Sequence, residues 1–204
     1  MELYDSEEQQ VEALKEWWKE NGKAVLLGVV IGLGGIFGWR YYQNTHIEKQ
    51  EVSSQNYNQV MAALNQQGVD AESDVQSFIN AHNQSEYAIF AAMNLAKAQA
   101  QKGQLEEALA QLTWAKSNTK DKALKSILHY RSARLLSAQQ QWDNALAELN
   151  QVDDKAWSGR VSELKGDILL SKGDEAGAYN AYTQAQQSGD ASQILAMKLD
   201  DLAK

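Results

Sequence analysis

The side chains of this 204-residue sequence best suited to proton transfer near neutral pH are His46, His82 and His129, and no cysteine accompanies them. The three stand far apart and none falls in an H-x-x-x-H spacing, so a zinc site has little to be built from. The absence of Cys removes thiolate ligands, cysteine nucleophiles and disulfides together. Carboxylates occur in adjacent pairs at Glu106-Glu107, Asp153-Asp154, Asp174-Glu175 and Asp200-Asp201, a residue type that can serve general acid and base chemistry. These pairs fall at helix starts, at turns or in the tail, where an acid simply complements the helix dipole. No phosphate-cradling G-x-x-x-x-G-K-[ST] run and no nucleophile elbow occurs. The expectation is a protein that is not an enzyme, with no catalytic residues, no metal ligands and no cofactor.

The elements that carry these residues are helical. Pro is absent, where average usage of about 5% would give about ten, and Ala, Gln, Leu, Glu and Lys dominate. At about 100 to 200 residues per domain, the length fits one all-α domain plus an anchor. A net charge of −8 argues against a phosphate-binding surface, and nucleic acid is not an expected partner.

Ala24 to Trp39 is a run of sixteen residues without a charged or polar side chain, covering roughly 24 Å as a helix against a hydrocarbon core of about 30 Å. Lys23 and Arg40 can snorkel outward, and the rings of Trp39, Tyr41 and Tyr42 suit a membrane interface. Five glycines, Gly28, Gly32, Gly34, Gly35 and Gly38, would each weaken a water-exposed helix by up to about 1 kcal/mol, which favours a transmembrane span over a core helix. Seven acids against three lysines before the span, and no small-residue cleavage site after it, suggest an anchor that is retained. Lys15, Lys19 and Lys23 ahead of the span outnumber Arg40 and Lys49 behind it, which places the N-terminus in the cytoplasm and residues 43–204 beyond the inner membrane of a bacterium.

Ser6-Glu7-Glu8-Gln9 has capping-box spacing and leads into Val11, Leu14 and Trp18, a short amphipathic helix. Within the span, Gly28, Gly32 and Gly35 share one helical face and would permit close contact with a partner helix. Beyond it, Tyr57, Val60, Met61 and Leu64 form one amphipathic stripe, and Ala71, Val75, Phe78 and Ile79 another after a turn at Gly68.

The remaining residues repeat. Ala96, Ala108, Leu109, Leu112 and Ala115 match Ala133, Ala145, Leu146, Leu149 and Val152, and again Gly166, Ala178, Tyr179, Tyr182 and Ala185, with identical internal spacing. The turn Lys102-Gly103-Gln104 has its echo in Lys172-Gly173-Asp174. This pattern resembles the tetratricopeptide repeat, in which small residues mark the crossing of helices A and B. The family's early aromatic in helix A is missing, with Ala92, His129 and Ser162 in its place, and no closing Pro exists.

An acidic N-terminal tail, the Asn21-Gly22-Lys23 boundary, a Gly-rich anchor ending Gly38-Trp39-Arg40-Tyr41 and a repeat domain with a Leu170-Ser171-Lys172-Gly173-Asp174 turn and a Met197-Lys198-Leu199 tail together resemble the YfgM-type ancillary subunits of the SecYEG translocon. That resemblance implies a single-pass inner-membrane protein whose periplasmic repeats work beside the SecYEG translocon. It further implies the membrane-anchored periplasmic chaperone PpiD as partner and exported proteins as clients.

The expected organisation is a cytoplasmic segment 1–23, a transmembrane helix 24–42, a helical linker with the first helices 43–85, and tetratricopeptide-like repeats 86–204. A C-terminal helix around Ile194, Leu195, Met197, Leu199 and Leu202 is expected to cap them. A short α-solenoid presents helix A side chains on a concave face, here Phe90, Met93 and Lys97, then Ile127, Tyr130 and Arg134, then Arg160, Glu163 and Asp167. Basic at one end and acidic at the other, this mixed face suits a polypeptide better than a small ligand. The expected function is a membrane-anchored, protein-binding scaffold that assists export or folding. The alternative is a regulator whose cytoplasmic N-terminal segment binds a signalling protein.

Overall fold

The structure, a computed structural model, describes residues 7–189 and 192–202, with side chains throughout except at residues 7, 8 and 44–50. Ser6 of the expected capping box and the side chains of His46 and Lys49 lie outside the described residues. Among the described residues every regular element is helical: α1 Glu7–Gln67, α2 Glu72–Ala81, α3 Glu86–Gln101, α4 Leu105–Asn118, α5 Lys122–Ala138, α6 Trp142–Leu149, α7 Ser158–Ser171, α8 Glu175–Gln187 and α9 Gln193–Leu202. Short 3₁₀ turns, Gly68–Ala71 and Lys155–Trp157, precede α2 and α7. The chain divides into two compact units, residues 1–52 and 53–204.

In the first unit, Gln9–Gln43 is long and apolar enough to cross a membrane, and only 6% of its most apolar window is covered by the rest of the chain. Ile31 and Phe37 are each 66% exposed. A core helix of a water-soluble domain would hide such residues, so that reading is removed. The helix runs without a break through Asn21, Gly22 and Lys23, where the sequence suggested a boundary. The Trp18 indole lies over Gly22, close enough that a Cβ there would come within 3.2 Å of the ring.

The second unit is built from helix pairs. Tyr57, Val60, Met61 and Leu64 in the last turns of α1 pack with Val75, Phe78 and Ile79 of α2 and with Ile89, Ala92 and Leu95 of α3. The two amphipathic stripes expected within residues 43–85 thus form a helix pair ahead of the repeats. The three repeats follow as α3 with α4, α5 with α6 and α7 with α8. Ala96 and Ala108, Ala133 and Ala145, and Gly166 and Ala178 are all buried at the pairings the repeat spacing predicts. Small side chains let the axes of paired helices approach, and the residues four and seven positions further along fill the space beside them.

Each repeat turns from helix A to helix B through one residue in the left-handed region. Gly103 has φ 81° and Gly173 φ 84°, and in each turn an amide three residues past the helix reaches back to a carbonyl, Gln104 to Gln99 and Asp174 to Leu169, both at 2.9 Å. The middle repeat makes the same turn with Gln140 at φ 60°, a conformation costing a non-glycine residue about 1 kcal/mol.

The third repeat departs from the other two in a paired way. Where they have Ala96 with Leu112 and Ala133 with Leu149, it has Gly166 with Tyr182. The Tyr182 ring fills the room a methyl would need, since a Cβ on Gly166 would lie 2.4 Å from ring carbon Cε1. Gly166→Ala is therefore expected to cost about 1 to 3 kcal/mol through overpacking. In a Tyr182→Leu background the same change should be neutral or stabilising by up to about 1 kcal/mol, because Ala is the better helix former. Thermal unfolding of the full chain in mild detergent, followed by circular dichroism, checks this. An equal effect of Gly166→Ala in both backgrounds would contradict the pairing.

Candidate functional site

The face read from the sequence as concave is formed by the A helices, α3, α5 and α7, and the structure sorts its nine residues into two clusters and two outliers. Met93 and Lys97 of α3 and Arg134 of α5 line one groove of about 560 Å³, together with Leu112 of α4 and Arg131 and Leu135 of α5. Met93 is almost fully buried and forms floor rather than surface, while Lys97, Arg131 and Arg134 are exposed. Partial burial and the neighbouring Arg134 charge both pull the Arg131 guanidinium below its ordinary value.

The second cluster joins Tyr130 of α5 to the third repeat. The Tyr130 ring lies 5.1 Å from that of Trp157, and the Arg160 guanidinium sits 5.1 Å above the same indole. Burial pushes the Tyr130 hydroxyl above its ordinary value, with Glu163 and Asp167 adding to the rise while Arg134 and Arg160 oppose it. These five expected site residues therefore share one electrostatic neighbourhood. Phe90 and Ile127 join neither cluster. Ile127 packs against the core of the first helix pairs, and Phe90 is partly exposed on α3.

The acidic end of the expected gradient is occupied from within the chain. Lys198 of α9 places its ammonium 2.8 Å from Glu163 Oε1 and 2.7 Å from Asp167 Oδ1. The same Asp167 oxygen accepts a hydrogen bond of 2.7 Å from the Tyr182 hydroxyl, and Lys198 Nζ lies 5.5 Å from the centre of the Tyr182 ring. Leu195 is buried beside Tyr182, with Leu199 and Leu202 against the same cluster, so α9 caps the third repeat as its apolar pattern implies. Ile194 and Met197 point away, 64% and 62% exposed. A gradient from basic to acidic becomes a basic groove beside an acidic pair whose charge Lys198 half offsets.

Six residues of these clusters were not singled out for the site from the sequence: Leu112, Arg131, Leu135, Trp157, Tyr182 and Lys198. Arg131 had a readable signal, as it lies one turn beyond Ile127 on the same helix. Lys198 had only a weak one, namely that Glu163 and Asp167, four apart on one helix face, call for a cation.

His82 and His129, the histidines whose side chains are described, take part in packing. The ring of His82 lies 4.7 Å from Phe78, with Nε2 3.3 Å from the Asn56 side-chain amide. His129 Nδ1 lies 2.7 Å from Glu148 Oε2, whose other oxygen receives Lys116, so the second-repeat helices α5 and α6 are tied to α4. Chemically, the A-helix face offers charge-assisted hydrogen bonds above an apolar floor, a means of holding a polypeptide by non-covalent contact.

Comparison with known proteins gives three findings. The family described as tetratricopeptide repeat-like domain matches residues 15–204. Two curated relatives carry the name ancillary SecYEG translocon subunit. One, from Haemophilus influenzae, is 37% identical over 198 residues, 96% of this chain and 97% of the relative. The other, from Escherichia coli, is 34% identical over 206 residues and the whole of both chains. Among solved structures, pilF of Pseudomonas aeruginosa overlays with a TM-score of 0.61 at 16% identity, covering 76% of this chain and 69% of that one. MamA of Desulfovibrio magneticus gives 0.61 at 14% identity over 74% and 82%. At such identities these two establish the fold alone.

The Lys198 cluster has a pH signature. Burial, and the hydrogen bond to Asp167, raise the Tyr182 hydroxyl well above its ordinary value. Burial alone would lower the Lys198 ammonium, but its bonds to Asp167 and Glu163 outweigh that and raise it. Both groups thus hold their protons more tightly folded than unfolded, so their stabilisation is complete below the ordinary values near about pH 10 and is lost as pH rises further. Tyr182→Phe, which removes one hydrogen bond, is expected to cost about 1 kcal/mol at about pH 8. That deficit should shrink as pH passes about 10, because the unfolded wild-type tyrosine then ionises and favours unfolding, which Phe cannot do. Melting curves across this range check it, and a constant or growing deficit would contradict it.

Proposed function

The chain belongs to the tetratricopeptide repeat-like family and, within it, to the ancillary SecYEG translocon subunits, and from that membership we propose that it is a membrane-anchored scaffold working beside the SecYEG translocon. Its repeats stand at the periplasmic face of the inner membrane, where they assist the translocon and periplasmic chaperones in handling exported proteins. A membrane-anchored chaperone of the PpiD kind and the exported chains themselves are its further partners. The protein acts by binding and not by catalysis. The observation that carries this reading is full-length similarity to subunits named for the translocon, in a chain whose apolar helix is left uncovered by its own fold.

Orientation follows the lysine excess ahead of the span, with Lys15, Lys19 and Lys23 on the cytoplasmic side. Gly28, Gly32 and Gly35 meet a helix of the translocon or of the membrane chaperone. Each has open space where a Cβ would stand, so a foreign backbone could approach there. The contact surface for polypeptide is the A-helix face around Lys97, Tyr130 and Arg134.

Because the sequence contains no native cysteine, topology can be read with single cysteines at positions 6 and 188. A membrane-impermeant thiol reagent is expected to label Ser188→Cys in intact spheroplasts and to reach Ser6→Cys only after lysis. Labelling in the opposite order would reverse the orientation and remove the periplasmic role. Gly28→Leu with Gly32→Leu should leave the protein in the membrane fraction while lowering recovery of translocon components in mild detergent. Unchanged recovery would confine the interaction to the repeats.

A further inference from the structure

This inference rests on the reading of the A-helix face as a polypeptide-binding surface and concerns what kind of polypeptide it takes. Lys97, Arg131 and Arg134 line one groove, yet among the described residues none of the three forms an ion pair with a carboxylate. The groups that do find carboxylate partners lie elsewhere: Lys116 and the His129 ring on Glu148, Lys172 on Asp143 and Lys198 on Glu163 and Asp167. The last of these pairings matters most. Glu163 and Asp167 belong to the same neighbourhood as Arg134, since all three act on Tyr130, but Lys198 has already taken them.

A chain of net charge −8 thus keeps a cleft with three unanswered positive charges. Arg131 and Arg134 stand near enough to disfavour one another, a cost that a bound anion would relieve. Beneath them Met93, Leu112 and Leu135 supply an apolar floor. Guanidinium forks match carboxylates in geometry, and the floor adds an apolar requirement that a simple inorganic anion does not meet.

We infer that this groove binds a short acidic polypeptide segment, with carboxylates against Lys97, Arg131 and Arg134 and apolar side chains on Met93, Leu112 and Leu135. Lys198 then has two tasks. It fastens α9 to α7, and by offsetting one of the two negative charges of Glu163 and Asp167 it lessens their repulsion of the incoming acids.

The test uses the full chain in nanodiscs of zwitterionic phosphatidylcholine and a fluorescent peptide of alternating Glu and Leu, read by anisotropy against the same peptide with Gln for every Glu. The acidic peptide is expected to bind at least about tenfold more tightly, a preference that should fall as salt rises from about 50 to about 300 mM. Arg131→Gln with Arg134→Gln should remove most of the preference. Lys120→Gln with Lys125→Gln, an equal change of net charge at exposed positions outside the groove, should leave it nearly intact. Equal affinity for the two peptides, or an equal loss from both pairs of substitutions, would overturn the inference. So would disappearance of peptide binding when phosphatidylglycerol replaces phosphatidylcholine, which would assign the groove to anionic headgroups. Co-purification with the translocon is measured on the same wild-type preparation. No acid preference with co-purification intact defeats this inference alone, whereas an acid preference without co-purification sustains it and defeats the functional reading.

Discussion

Three helix pairs of the repeat domain bury, on each of their two helices, a residue that has almost no side chain: Ala96 and Ala108, Ala133 and Ala145, Gly166 and Ala178. Helices packed through large side chains sit near the wide end of the usual 8 to 10 Å spacing, and small residues bring them toward the narrow end. That proximity makes the neighbouring residues pack, since Leu112, Leu149 and Tyr182 reach the facing helix only because the axes are near. It also fixes the spacing of the A helices, and hence the width of the groove that α3 and α5 enclose. In a solenoid each pair contacts only its neighbours, so an error at one crossing passes to the next interface along the array.

The third repeat shows how far that constraint can bend. Exchanging an alanine for Gly166 admits a tyrosine, and the tyrosine brings a hydroxyl to a place where the other repeats have only leucine carbons. Its bond to Asp167 prepares an acceptor for Lys198, so a substitution at the crossing ends as a polar fastening for the terminal helix. Capping in this protein is therefore apolar at Leu195 and ionic at Lys198, and the ionic part also decides the charge of the adjoining surface.

Much of this was legible in the sequence, and for identifiable reasons. The crossings were readable because small residues recur with fixed spacing, and the apolar span because sixteen consecutive residues carry no polar group. The cap was readable from the breadth of its apolar face. The features that escaped carry no clear signal in residue type. Lys198 meets Glu163 and Asp167 across 35 and 31 residues, a pairing only the folded chain can reveal. The left-handed Gln140 escaped because nothing in its residue type announces that conformation. The helix pair ahead of the first repeat was readable only as two amphipathic stripes, which show that Tyr57, Met61 and Leu64 need cover but not that α2 and α3 supply it.

On the function proposed above, the repeats and not the acidic N-terminal segment hold the partners. Photoreactive side chains placed one at a time at Lys97, Arg134, Glu12 and Glu16 in living cells would decide this most directly. The account predicts covalent adducts with translocon components or their membrane-anchored chaperone from positions 97 and 134 and none from positions 12 and 16. Adducts confined to positions 12 and 16, with a cytoplasmic protein, would contradict it and make the repeats the accessory part.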